Sequence, residues 1–421
     1  MVDVLIIGAG PAGSVSAALL ASKGYDVLVL EKQRFPRFSI GESLLANSLE
    51  ILTDAGMLEP VMAQGFQFKN GAAFVHNERY SEFNFAEKSS PGSPFTFQVP
   101  RAQFDKVLAD EAEKRGAKIQ YEVEITAVDV SGDRPVVTSK AGDEVTVHRP
   151  RFVLDASGFG RTLPRLLNLD RPSDFPMRAA LFVHVKDSIV SGEFDRQKIR
   201  VGVHPTKPEV WSWLIPFSNG NSSLGVVASR EHHAQFQGTN EERLWQLIAE
   251  EPELKHLLRD AKTVRPVGEI VGYASKVSSL YGNGFALLGN AAEFLDPVFS
   301  SGVTIAMKSA TLAAQILDRQ FKGENVNWQT EFADPLMYGV ETFRSFVTGW
   351  YDGSLQDVIF FEHQDPNIRR MVCSVLAGYV WDTKNPYTGP QSGRRLRALA
   401  AMCKAPSNKE QAYSAPMVKH G

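Results

Sequence analysis

The chain has 421 residues, 43% of them apolar and 22% charged, which is ordinary globular composition with length for two domains or more. Its 45 basic and 48 acidic residues are interleaved, for a formal net charge of -3, which excludes a nucleic-acid footprint or a polybasic membrane patch and favours a small neutral partner. Cys373 and Cys403 lie far apart without a C-x-x-C or His-rich neighbour, which excludes a disulfide framework or zinc site and makes a reducing cytoplasm the expected compartment.

The apolar run 4–7 follows no basic segment and enters a glycine-rich turn, so it predicts a buried parallel strand rather than a signal peptide. No stretch reaches the roughly 18 apolar residues of a membrane span, so no integral membrane segment is expected. Spacing predicts a helix over 12–23 and a second apolar strand over 26–30, ending at Glu31. After the loop 35–45 come a helix over 47–56, alternating strands within 66–85, a helix over 101–115 and a strand pair over 118–130 and 136–147. Residues 153–158 return to the buried-strand pattern, as if re-entering the first sheet. Segments 178–185, 198–204, 210–216 and 222–229 predict an antiparallel substrate-side sheet with one helix over 241–250. Another parallel strand follows at 285–289 and a long helix at 302–322. The remainder is helical by pattern, with Phe343, Phe346, Trp350, Tyr351, Phe360 and Phe361 expected to pack in the core and a loose polar tail after Ser407. The fold class is α/β: a Rossmann-type dinucleotide-binding domain over 1–174, with strand excursions near 66–100, resumes at 276–327. An antiparallel-sheet domain over 175–275 is inserted, and a helical region spans 328–421.

Gly8, Gly10 and Gly13 form G-x-G-x-x-G between the first strand and helix, and Glu31 stands about 18 residues further on. Bare glycines let a pyrophosphate approach the helix N-terminus, where free N–H groups and the dipole favour negative charge. Glu31 suits the ribose hydroxyls of an adenine dinucleotide and disfavours a 2'-phosphate. The fingerprint does not separate FAD from NAD. Nine histidines are scattered without a Ser/His/Asp constellation or an H-E-x-x-H pattern, so hydrolase and metalloenzyme readings are poor and no metal is expected.

Leu154-Asp155-Ala156-Ser157-Gly158 and Leu287-Leu288-Gly289-Asn290-Ala291-Ala292 resemble the later flavin motifs of the FAD-dependent monooxygenase superfamily typified by p-hydroxybenzoate hydroxylase. The acidic residue that binds the ribityl chain in that family is Asn290 here; for Asp155 and Asn290 a turn-capping role is the alternative. Four further segments, 37–45, 68–72, Trp211-Ser212-Trp213-Leu214-Ile215-Pro216 and Phe294-Leu295-Asp296-Pro297-Val298-Phe299-Ser300-Ser301-Gly302, resemble flavin-dependent halogenases acting on phenolic or pyrrolic substrates. This likeness covers essentially the whole chain. It implies FAD held by Gly8, Gly10, Pro11, Ala12, Gly13, Glu31, Lys32, Arg37, Gly41, Glu42, Ser43, Arg101, Asp155, Gly158, Gly289, Asn290, Pro297, Gly302 and Val303. It further implies a halide at Ser301 and Gly302, a separate flavin reductase, and an electron-rich aromatic substrate, free or carrier-bound. Lys69 would carry or activate the hypohalous acid, as an ammonium that polarises it or as an amine that forms a haloamine. Trp211 and Trp213 would part flavin from substrate. The bland alternatives are a solvent-facing lysine, core tryptophans, a serine helix cap and an Arg101–Asp105 ion pair. Two other functions stay open: a hydroxylase or isoprenoid reductase of the same fold working directly through the flavin, and a non-catalytic electron carrier.

Overall fold

The computed structural model describes residues 2–404, so the tail expected after Ser407 lies outside the described residues. Val4–Ile7 is fully buried and pairs in parallel with Val27–Glu31 on one side and Phe152–Asp155 on the other. Phe285–Leu287 and Lys118–Tyr121 extend this sheet in parallel, and Tyr281–Gly282 closes one edge antiparallel. The side chains alternate with period two: Val4 and Ile6 join the core under the helices, while Leu5 and Ile7 join a second core with Val123, Ile125 and Val137. That burial on both faces is why the run reads as continuously apolar.

Pro11–Ala21 packs against Ser301–Phe321 and Arg101–Lys114. Small residues at Ala17, Ala18, Ala310, Ala313 and Ala314, all buried, allow that close approach.

The predicted strand over 118–130 is two strands. Glu122, at φ 62°, turns the chain in the left-handed region, leaving Lys118–Tyr121 in the parallel sheet and sending Glu124–Asp129 into a three-stranded antiparallel ribbon. The segment 136–147 is itself a hairpin, Val136–Ala141 and Glu144–His148, turning at Gly142 with φ 56°.

The second sheet runs Lys262–Thr263, Arg178–Lys186, Asn221–Ser229, Trp211–Pro216, Lys198–Val203, Gly71–His76, Arg79–Asn84, with Gly268–Val271 also paired to Arg178–Lys186. All pairs are antiparallel except Lys198–Val203 with Gly71–His76. The strands near 66–100 therefore do not all remain with the first domain. Ala72 to Val75 are buried on both faces, with Phe74 packed on Trp350 at 5.9 Å between centroids, so this strand belongs in the interior of a second sheet. Gln67–Lys69 pairs separately with Thr96–Gln98.

Helices Asp334–Tyr351, Ser354–Ile359, Pro366–Leu376 and Ser392–Lys404 complete the described chain. Phe343, Phe346, Trp350 and Phe360 pack in the core as expected. No helix among the described residues is long and apolar enough to cross a membrane.

Candidate active site

One cavity of about 450 Å³ runs from the glycine turn to the tryptophan motif. At its first end Gly8 has φ 96°, and a Cβ there would stand 2.8 Å from the Ala156 carbonyl oxygen. A Cβ on Gly13 would fall 1.9 Å from the Gly8 carbonyl oxygen, so helix and strand meet only with glycine at both places. The first intrahelical bond is Ser14 N–H to Gly10 O, 2.9 Å, which leaves the amides of Ala12 and Gly13 unspent at the helix mouth, where Pro11 has none. Glu31 is fixed by the amides of Ala9 and Gln33, each 2.9 Å from one carboxylate oxygen. With Lys32 it lines both the main cavity and an adjoining pocket of about 120 Å³ beside Gly8, Val123 and Ser157.

Asp105 is buried and takes two guanidinium groups. Arg101 binds it through Nε at 2.7 Å and Nη2 at 3.0 Å, and Arg37 through Nη1 at 3.1 Å. Two cations on one carboxylate leave a net positive charge on the wall, suited to a diphosphate. Arg37 Nη2 lies 3.5 Å from where a Cβ on Gly10 would stand, which puts that charge over the glycine turn. Arg101 thus makes the helix-face ion pair and still lines the cavity, while its Nη1 donates to Ile40 O at 2.8 Å and shapes the Gly41 turn, φ 99°.

Asp155 is not at the cavity. Its carboxylate accepts the amides of Ser157 at 2.9 Å and Leu163 at 2.6 Å, the bonds of a turn cap. Burial pushes its pKa up while those bonds oppose the shift. Gly158 and Asn290 do line the cavity. Gly289, at φ 53°, would bring a Cβ within 2.7 Å of Ala306 Cβ.

At the other end the N-terminus of Ser301–Phe321 meets the cavity through Ser300, Gly302 and Val303, with Pro297 beside them. Ser301 is buried and off the lining, whereas Ser300, left-handed at φ 56°, lines it beside Gly302. Trp211 and Trp213 both line the cavity, 5.8 Å apart between centroids. Trp211 Nε1 donates to Tyr351 Oη at 2.9 Å, and Tyr351 and Tyr273 both donate to one oxygen of Asp296, at 2.7 and 2.8 Å. Burial raises the Asp296 pKa, and burial beside that carboxylate drives both phenols far above their ordinary range. This network was not foreseen: its members lie 23, 55 and 140 positions apart, and Tyr351 read as one more core aromatic.

Lys69 is buried rather than solvent-facing, at 1% exposure. Its Nζ donates to Ser43 Oγ at 2.7 Å and Leu44 O at 2.8 Å, and the Phe85 ring centre lies 5.3 Å away. Desolvation lowers its pKa to about 7. Lys69 itself does not line the cavity, but Ser43 does. Glu42, on the wall beside Ser43, is bound by His184 Nε2 at 2.5 Å.

Two of the scattered histidines also meet. His204, His232 and Glu250 bring potential ligand atoms within 4.8 Å of one another. His204 Nδ1 accepts the amides of Thr206 and Lys207, and His232 Nδ1 faces the Lys207 ammonium at 3.1 Å. With both Nδ1 atoms engaged as acceptors, each neutral ring carries its hydrogen on Nε2, which faces Glu250 at 3.3 Å from His204 and 3.1 Å from His232 and leaves no lone pair there for a metal.

A family model described as FAD binding domain matches residues 1–331. The 1H-pyrrole-2-carbonyl peptidyl-carrier-protein chlorinase of Pseudomonas fluorescens is 30% identical, over 95% of this chain and 92% of its own length. The crystal structure of a flavoprotein/dehydrogenase from Cytophaga hutchinsonii is 47% identical with a TM-score of 0.92, covering 96% of this chain and 98% of that one. The flavin-dependent brominase Bmp2 is 27% identical with a TM-score of 0.80, covering 98% of this chain and 100% of its own.

Proposed function

This chain belongs to the FAD-binding-domain family and, within it, to the flavin-dependent halogenases; it is an FAD-dependent oxidoreductase, and from that premise we propose how its residues divide the work. The glycine turn fits the cofactor, since a side chain at Gly8 or Gly13 would collide with backbone. Bound and reduced, FAD would supply the two electrons and two hydrogens with which dioxygen, one further proton and a halide become water and hypohalous acid.

The Ala12 and Gly13 amides with Arg37 would hold the diphosphate, Glu31 the adenosine ribose, and Asn290 the ribityl chain. The halide sits at the opening of Ser301–Phe321, against the free amides of the first turn and the Ser300 hydroxyl. Lys69 acts as the ammonium. Its two acceptors take two hydrogens, and the remaining position faces the Phe85 ring, which welcomes N–H and repels a lone pair. Trp211 and Trp213 block direct approach of a bulky substrate to the flavin end. The substrate is an electron-rich aromatic such as a phenol or a pyrrole; the Pseudomonas relative is named for a carrier-bound pyrrole, and the same delivery is proposed here. A separate reductase supplies reduced FAD, and the free thiols of Cys373 and Cys403 fit a cytoplasmic setting. Residues 1–174 and 276–327 carry the cofactor, apart from the strands at 71–84, which join 175–275 on the substrate side; the helices after 328 close it.

The observation that carries this reading is a lysine enclosed without a carboxylate partner among the described residues, one side chain away from the cavity. With a flavin reductase, bromide or chloride and an electron-rich phenol or carrier-bound pyrrole, mass spectrometry should show a halogenated product that Lys69→Ala loses. Oxygenated product free of halogen, unchanged in Lys69→Ala, would replace halogenation with direct flavin oxygenation.

A further inference from the structure

Lys69 has no opening of its own. Its ammonium is enclosed by Ser43, Leu44 and Phe85, and among the residues on the cavity wall Ser43 is the one whose side chain touches it. Ser43 Oγ accepts the lysine's hydrogen and makes no other hydrogen bond among the described residues, so its own O–H is left for whatever occupies the cavity. The loop is held in place around it. Arg101 grips Ile40 O, His184 grips the Glu42 carboxylate, Leu44 N–H bonds Phe97 O at 3.1 Å, and Val99 N–H bonds Glu42 O at 2.7 Å. A serine fixed on both flanks between a cavity and a buried cation is a relay position.

We propose that Ser43 is a positioning residue for halogen transfer, its hydroxyl joining the Lys69 ammonium to the oxygen of hypohalous acid in the cavity. This rests on the halogenase reading above. In the step, the aromatic carbon bonds to halogen as the oxygen–halogen bond breaks. The departing oxygen takes the Ser43 proton and leaves as water; Ser43 takes one from Lys69. The proton displaced from the ring leaves through the cavity, and Lys69 is recharged from that side through Ser43, so hydrogen balances; the halogen passes from +1 in the acid to -1 on the ring as the ring carbon is oxidised by two electrons.

The test compares wild type, Ser43→Ala, Ser43→Thr and Lys69→Ala, with bromide and a phenol, following FAD binding, reduced-flavin oxidation, halogenated product and free hypohalous acid caught by a scavenger. Per reduced flavin oxidised, Ser43→Ala should give about tenfold less product and more scavenged oxidant, and the pH at which product is half lost should drop by about one unit, because the ammonium has lost an acceptor. Ser43→Thr should restore product. Wild-type yield and pH profile in Ser43→Ala would overturn the relay while leaving the halogenase reading intact if Lys69→Ala is still inactive. Lost FAD binding in Ser43→Ala would overturn it too, since the hydroxyl would then be serving the cofactor. Full product from Lys69→Ala would instead sink the reading beneath it.

Discussion

A buried ammonium costs folding energy, and Lys69 shows how much. Its pKa falls from 10.5 to about 7, which sets an upper limit of roughly 5 kcal/mol against the charged form in the folded chain. The folded pKa lies below the unfolded one, so the unfolded chain holds more protons between pH 7 and 10.5, and this group makes stability rise with pH across that window. Lys69→Met should therefore unfold at higher urea than wild type at pH 7, with the gap narrowing at pH 9.5; a variant less stable at pH 7 would contradict the burial cost. The pH profile of wild-type halogenation checks the protonation state. Product formation should decline as pH climbs past about 7, whereas an increase would point to the neutral amine and haloamine chemistry. At this scale the sequence was most legible where chemistry is local. Gly8 and Gly13 act within a few residues, so their spacing spoke for itself. Asp155 was ambiguous because a carboxylate after a strand serves a turn or a ligand equally well, and only the positions of Ser157 and Leu163 decide.

Secondary structure elements were read well where one face or two were buried, as in 178–185 and 302–322, which form Arg178–Lys186 and Ser301–Phe321. They were misread where a single backbone angle redirects the chain. Glu122 has no Gly or Asn signature, so its left-handed turn was invisible in the run 118–130. Sheet membership was equally hidden for Gly71–His76, whose parallel partner, Lys198–Val203, lies more than a hundred residues away. The loop at 37–41 and the helix Arg101–Lys114 are joined by Asp105, which neutralises one of two guanidinium groups. Asp105→Asn leaves the buried Arg101 and the part-buried Arg37 without their carboxylate, a loss of about 3 kcal/mol. Thermal melts should show the drop in apoprotein and a partial recovery when FAD is added, since its diphosphate offers Arg37 another anion; equal losses with and without FAD would separate Arg37 from the cofactor.

Across the whole molecule, the cavity is walled by both sheets and by the long helix that follows them. A cofactor lodged there stabilises all of these parts together. FAD at a hundred times its dissociation constant should add about 2.7 kcal/mol and raise the melting temperature by several degrees; a melt indifferent to FAD would mean the cavity is not its seat. The global arrangement was legible as an insertion between two halves of a Rossmann sheet. The Trp211–Tyr351–Asp296 chain was not, because it is assembled from three separate regions that meet only after folding.

The loop 40–47 touches four separate parts of the chain: Arg101 through Ile40, His184 through Glu42, Lys69 through Ser43 and Leu44, and the end of Pro366–Leu376 through Asn47, whose amide bonds Ala377 O at 3.2 Å. Libraries selected for new substrate scope should accordingly accumulate few changes here. A mutation in that stretch would disturb the guanidinium wall, the buried lysine and the C-terminal helices at a stroke, so new specificity is channelled into residues that line the cavity from a single element.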